Sequence, residues 1–127
     1  MIEDGVRELA QGKNFAALTT LLPSGQPQTH VMWVDCDGDH ILINTEVHRR
    51  KFKNVVADPR VTVAIWNAEN PYSFAEVRGR VVETVTGDAA LANINALANK
   101  YTGADYAPEI QSERVILKIA PDRQISR

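Results

Sequence analysis

Cysteine is almost absent from this chain of 127 residues: the one thiol, Cys36, has no partner for an internal disulfide and no companions for a metal site. Net charge of either sign is small, with a formal value of −2, which excludes the broad positive field of a nonspecific nucleic-acid binder. No aromatic stacking strip accompanies the basic residues, which argues further against RNA binding by a small barrel. No apolar run approaches the roughly 20 residues of a membrane span. The opening Met1-Ile2-Glu3-Asp4 is acidic and lacks the apolar core of a secretory leader, so a cytoplasmic location is expected. Internal repeats, low-complexity tracts and linkers are missing too, and the length suits one domain, 1–127.

Motifs of hard side-chain chemistry are equally scarce. The histidines His30, His40 and His48 lie in different elements, with no H-E-x-x-H and no i, i+4 pair. Asp35, Asp37 and Asp39 read as turn residues rather than a glycosidase pair. There is no catalytic triad signature and no G-x-G-x-x-G after a strand. An enzyme built from this chain would rely on a bound cofactor for the chemistry and supply the positioning itself.

What is present is a set of short β-type segments. A helix is expected over about Ile2 to Gln11, then strands over Phe15–Leu22, Thr29–Asp35, His40–Thr45, Arg60–Trp66, Tyr72–Thr86 and Val115–Ile119. Pro23-Ser24-Gly25-Gln26-Pro27 reads as a turn, and Asp37-Gly38 as a hairpin with glycine at positive φ. Gly79, in mid-strand, predicts a bulge or bend. A helix capped by Asp88 and ending near Tyr101 carries Leu91, Ile94, Leu97 and Ala98 at helical spacing. Six strands with short helices predict a mainly β (α+β) fold, an antiparallel split barrel with flanking helices.

The chemically loaded stretch is Arg49-Arg50-Lys51-Phe52-Lys53-Asn54, four cations within five residues at the start of a helix that Asp58-Pro59 ends. Basic side chains beside the free N–H groups of a helix start suit an anion such as phosphate, although a solvated helix face is the plainer explanation. Trp33 and Trp66 are read as core residues or walls of an apolar cleft.

The order of motifs is informative beyond its parts. Ala17-Leu18-Thr19-Thr20, Ser24-Gly25-Gln26-Pro27, Trp33, Asp37-Gly38, Ile43-Asn44-Thr45, Arg50-Lys51 and Asp58-Pro59-Arg60 follow one another, with Tyr72-Ser73, Val77-Arg78-Gly79, Lys100-Tyr101 and Arg114–Ile119 downstream. This series resembles the split β-barrel flavin and deazaflavin oxidoreductases, the superfamily of pyridoxamine 5′-phosphate oxidase. The resemblance implies that Arg50 and Lys51 match the phosphate pair of the flavin-mononucleotide (FMN) enzymes. Arg49, Lys51 and Asn54 match the corresponding positions of the branch that uses coenzyme F-420. It also implies contacts from Asn44 and Thr45 to phosphate or ribityl oxygens, and from the strand bearing His30, Met32 and Trp33 to the ring edge. Tyr72 and Ser73 would reach the cofactor of a partner subunit in a homodimer. Pyridoxamine phosphate oxidases carry a basic C-terminal substrate segment that is not expected from the residues after Arg114–Arg123, and the short form with the Arg49-x-Lys51-x-x-Asn54 pattern looks more like the F-420-dependent reductases. The implied activity is therefore F-420H2-dependent reduction of an electron-poor small molecule, an enone or quinone, with His30 and Tyr72 as candidate proton donors. An FMN oxidase or reductase and a non-catalytic cofactor binder, including a haem-binding barrel, are the rivals.

Overall fold

The computed structural model describes residues 1–127. Three helices, α1 (Asp4–Gln11), α2 (Arg50–Ala57) and α3 (Asp88–Thr102), are set among seven strands. The strands are β1 (Phe15–Leu21), β2 (Pro27–Met32), β3 (Asp35–Cys36), β4 (Ile41–Glu46), β5 (Arg60–Trp66), β6 (Phe74–Val85) and β7 (Arg114–Ser126). All pairings are antiparallel and run β2-β1-β5-β6-β7-β4-β3, the curled sheet of a mainly β split barrel. Two long connections carry α2 and α3, and these two helices bring the candidate site residues to the sheet.

Period-two alternation explains the core. Leu18 of β1, Val63 and Ile65 of β5, Ile43 of β4, and Leu117 and Ile119 of β7 point inward and are buried. The amphipathic α1 lays Val6, Leu9 and Ala10 on the same nineteen-residue core, joined by Ile2 just before it. Each large aliphatic side chain so enclosed contributes roughly 1.5–3 kcal/mol by leaving water. A separate small cluster of Ile94, Leu97 and Tyr101 on α3 packs with Trp33 and Tyr106.

Several details depart from the sequence reading. There are seven strands rather than six, because the expected Thr29–Asp35 strand breaks after Met32 and resumes as β3. At the break the Val34 N–H donates to the Tyr101 hydroxyl (3.2 Å), and the Val34 carbonyl accepts from the Lys100 ammonium, so α3 takes the groups a ladder would use. The β3–β4 turn forms at Asp37-Gly38, but Gly38 does not adopt positive φ. Instead the Asp37 carboxylate accepts the N–H of Asp39 (2.8 Å) and of His40 (2.7 Å), a side-chain-built turn. Asp88 is the first residue of α3 and its side chain makes no cap; Gly87 is the N-cap.

Gly79 does mark an irregularity: the β6–β7 register shifts between Arg78 and Gly79. A Cβ there would lie 2.1 Å from the Ala120 carbonyl oxygen, so only glycine permits the approach. Pro121 pairs opposite Gly79, and β7 continues through it to Ser126 instead of stopping near Ile119.

Candidate functional site

A cavity of about 610 Å³ opens between β2, the β4 end, the start of α2, and α3. One part of its wall is cationic, formed by Arg49, Lys51 and Arg114, with Asn44 and Thr45 of β4 beside them. Another part is apolar, formed by Phe15, Trp33, Ile94, Leu97 and Tyr106. The Trp33 and Tyr101 rings stack in parallel at 5.2 Å, and Tyr106 meets Trp33 edge-on at 6.3 Å. The Tyr101 hydroxyl also donates to the Asn14 carbonyl, which fixes the Trp33–Val34 corner against the first strand.

Helix geometry sorts the basic cluster. Arg49 is the extended N-cap of α2, and no side chain caps the helix start. The N–H groups of Arg50 and Lys51 have no acceptor within the protein, as expected for the first helical turn. Lys51 is only 7% exposed and lines the cavity, yet no carboxylate pairs with it. Burial, then the charges of Arg49 and Arg114, push its ammonium below the usual lysine range. A buried, unpaired lysine among cations is costly to the empty protein and is suited to an incoming anion.

Arg50 and Asn54, one helical turn apart, face elsewhere. Arg50 Nε donates to Asn54 Oδ1 (3.0 Å), and Asn54 Nδ2 donates to Thr20 (3.0 Å) and Gln28 (3.2 Å). With 1% exposure Asn54 pins α2 onto β1 and β2, and neither it nor Arg50 lines the cavity. Lys53 is solvent-exposed. His48 donates its N–H to the Ser112 hydroxyl, and its ring bonds the same oxygen, tying the β4–α2 corner to the β7 approach.

Of the remaining expected residues, His30, Met32, Trp33, Asn44 and Thr45 all line the cavity. The Asn44 amide is fully committed: Nδ2 donates to the Ala90 carbonyl (2.9 Å) and Asn93 Oδ1 (2.9 Å), while Oδ1 accepts from Arg114. It orients its neighbours and fastens α3. Tyr72 and Ser73 lie in the turn before β6, outside this chain's cavity, with Tyr72 88% exposed. Ser73 donates to the Arg127 carbonyl.

Arg114, Phe15, Ile94, Leu97 and Tyr106 were not picked out by the sequence as site residues. Arg114 becomes legible only through register, since β7 pairs it with Glu46. The Ile94–Leu97 spacing signals an apolar helix face but does not say what that face covers.

A family model described as pyridoxamine 5′-phosphate oxidase matches residues 2–125. The chain belongs to that family. Among solved structures it is similar to an F-420 reductase, at 28% identity and a TM-score of 0.85 over 99% of this chain and 100% of that one. It is also similar to a conserved hypothetical protein from Mycobacterium tuberculosis, at 25% identity and a TM-score of 0.73 over 98% of this chain and 82% of the other. HupZ of Group A Streptococcus shares the fold, with 16% identity, a TM-score of 0.68 and coverage of 99% and 94%. No curated protein matches by sequence. Family and fold together place the chain among oxidoreductases of the flavin type. No helix is long and apolar enough to cross a membrane.

Proposed function

We propose that the protein is an F-420H2-dependent reductase acting on an electron-poor small molecule such as an enone or quinone. One observation carries this reading: Lys51, buried and unpaired, stands beside Arg49 and the free N–H groups of α2 in a cavity whose other wall is aromatic. That donor set fits the anionic tail of a redox carrier, and the apolar wall fits its ring and the substrate. The full-length likeness to an F-420 reductase supports the deazaflavin over other carriers.

In this reading the Lys51 ammonium and the Arg49 guanidinium hold the tail phosphate. The N–H groups of Arg50 and Lys51 and the Thr45 hydroxyl donate to its oxygens. The strand β2 lies at the sheet edge, so backbone groups between His30 and Trp33 are free to meet the ring edge. When bound, reduced deazaflavin supplies a hydride. The protein contributes proximity and orientation, and it excludes water with Phe15, Trp33 and Leu97. His30 is the proton donor within this chain's cavity; Tyr72 would act only on a partner subunit's site. Exposed Val31 (65%) and Phe15 at the cavity rim support a homodimer with sites at its interface.

FMN is the second reading, favoured by the family's oxidase description. Titration of the apo-protein with F-420 and FMN side by side, followed by turnover of F-420H2 with enones and quinones, tests the proposal. Tighter FMN binding in a yellow protein selects the second reading, and binding without turnover selects a non-catalytic cofactor binder. Binding of neither carrier removes the functional proposal.

A further inference from the structure

We propose that Arg114 is a third phosphate ligand beside Lys51 and Arg49, and that its fixed fork helps this cavity distinguish a phosphorylated redox carrier from the same ring without phosphate. The inference rests on the carrier-binding reading above. Arg114 is 7% exposed, lines the cavity and is held on three sides. Its Nε donates to Asn44 Oδ1 (2.9 Å), its guanidinium lies 5.1 Å from the centre of the Tyr106 ring, and its Nη1 is 3.6 Å from Glu46 Oε2. The last distance exceeds a hydrogen bond. Glu46 is itself engaged, because its Oε1 accepts the N–H of Gln111 (2.7 Å) and of Ser112 (2.8 Å). The terminal nitrogens of Arg114 therefore make no hydrogen bond within the protein. Neither is sealed from solvent, since no buried side-chain nitrogen lacks a partner, and the residue lines the cavity.

Charge points the same way. Lys51, Arg49 and Arg114 are opposed near the cavity by Glu46, so three positive charges face one negative. Arg49 is exposed and screened by water. Lys51 is a point charge on a flexible stem, indifferent to the shape of an anion. Arg114 is a planar fork fixed at Nε, which leaves its two outer nitrogens to meet two oxygens of one phosphoryl group. Asn44 and Glu46 position it, and Asn44 is in turn held by α3, so the fork is oriented before any ligand arrives.

The test compares affinities of wild type, Arg114→Gln and Arg114→Lys for FMN against riboflavin, and for F-420 against its tailless deazaflavin. Inorganic phosphate is scored separately by thermal shift. Arg114→Gln is expected to weaken the phosphorylated carriers about ten- to a hundredfold, while the unphosphorylated rings change by no more than about twofold. Arg114→Lys is expected to recover only part of the loss, because charge returns without the fork. Phosphate should raise the Tm of Arg114→Gln less than that of wild type. Equal losses on both members of a carrier pair, or undiminished FMN and F-420 affinity, would overturn the assignment. Should Arg114→Gln fail to fold, Arg114→Lys carries the comparison, and full affinity in that variant overturns the fork. If wild type binds neither carrier, the functional reading fails, and phosphate protection weakened in the variant still supports Arg114 as an anion ligand.

Discussion

Replacing Lys51 with methionine should stabilise the empty protein while it cripples the loaded one. Methionine keeps the apolar stem packed and removes the charge. The lysine ammonium is pushed below its ordinary 10.5 by burial, then by Arg49 and Arg114. A base with a lowered folded pKa binds its proton more weakly in the folded state than in the unfolded chain. Between the lowered value and 10.5 the unfolded chain holds more protons, so wild-type stability rises with pH across that window. Below the window the charged lysine is fully destabilising, and Lys51→Met relieves that cost at neutral pH. Binding changes in the opposite direction. Loss of one charge-assisted hydrogen bond costs about 1.5–3 kcal/mol, or about ten- to a hundredfold in affinity for F-420 or FMN. Ligand at a hundred times its Kd adds about 2.7 kcal/mol of stability to a protein that binds it, so wild type should overtake the variant when carrier is added. Thermal melts of both proteins with and without carrier, at pH 7 and above pH 9, read the whole pattern. A lower Tm for apo Lys51→Met together with unchanged carrier affinity would refute the reasoning, since Lys51 would then be a packing residue.

Three further outcomes are expected. Gly79→Ala should destabilise the protein by about 1–3 kcal/mol in denaturant unfolding, because its Cβ meets the Ala120 carbonyl oxygen at 2.1 Å and backbone must move; a neutral effect would mean that the β6–β7 approach is loose. Tyr101→Phe removes the hydroxyl shared by the Val34 N–H and the Asn14 carbonyl and should cost about 1–3 kcal/mol, with faster amide exchange at Val34; unaltered exchange there would contradict the corner's dependence on α3. The Glu46 carboxyl is raised by burial but more strongly lowered by the N–H groups of Ser112 and Gln111 and the charges of Arg114 and His48, leaving it below 4.5. Its stabilisation is present above 4.5 and lost as pH falls through the lower folded value, so Glu46→Gln should flatten the acid limb of the stability curve, and an unchanged limb would show that other groups control it.

Sequence alone determined most of the elements. Alternation in Phe15–Leu21 and Arg60–Trp66, the breaker Asp58-Pro59 and the helical spacing of Ile94, Leu97 and Tyr101 are local facts, because backbone period and proline geometry act within a few residues. The cationic helix start was equally legible. Tertiary structure decided which cations meet at the cavity. Arg49 and Lys51 face the cavity while Arg50 turns to Asn54, and that choice depends on where α2 docks against Thr20 and Gln28. Arg114 enters the site because β7 pairs with β4 in the register that sets it opposite Glu46. The break at Val34 depends on Lys100 and Tyr101 arriving from far along the chain. Such contacts join residues whose mutual preference is invisible until the fold brings them together, since burial, charge repulsion and shared hydrogen bonds exist only once water has been excluded between them.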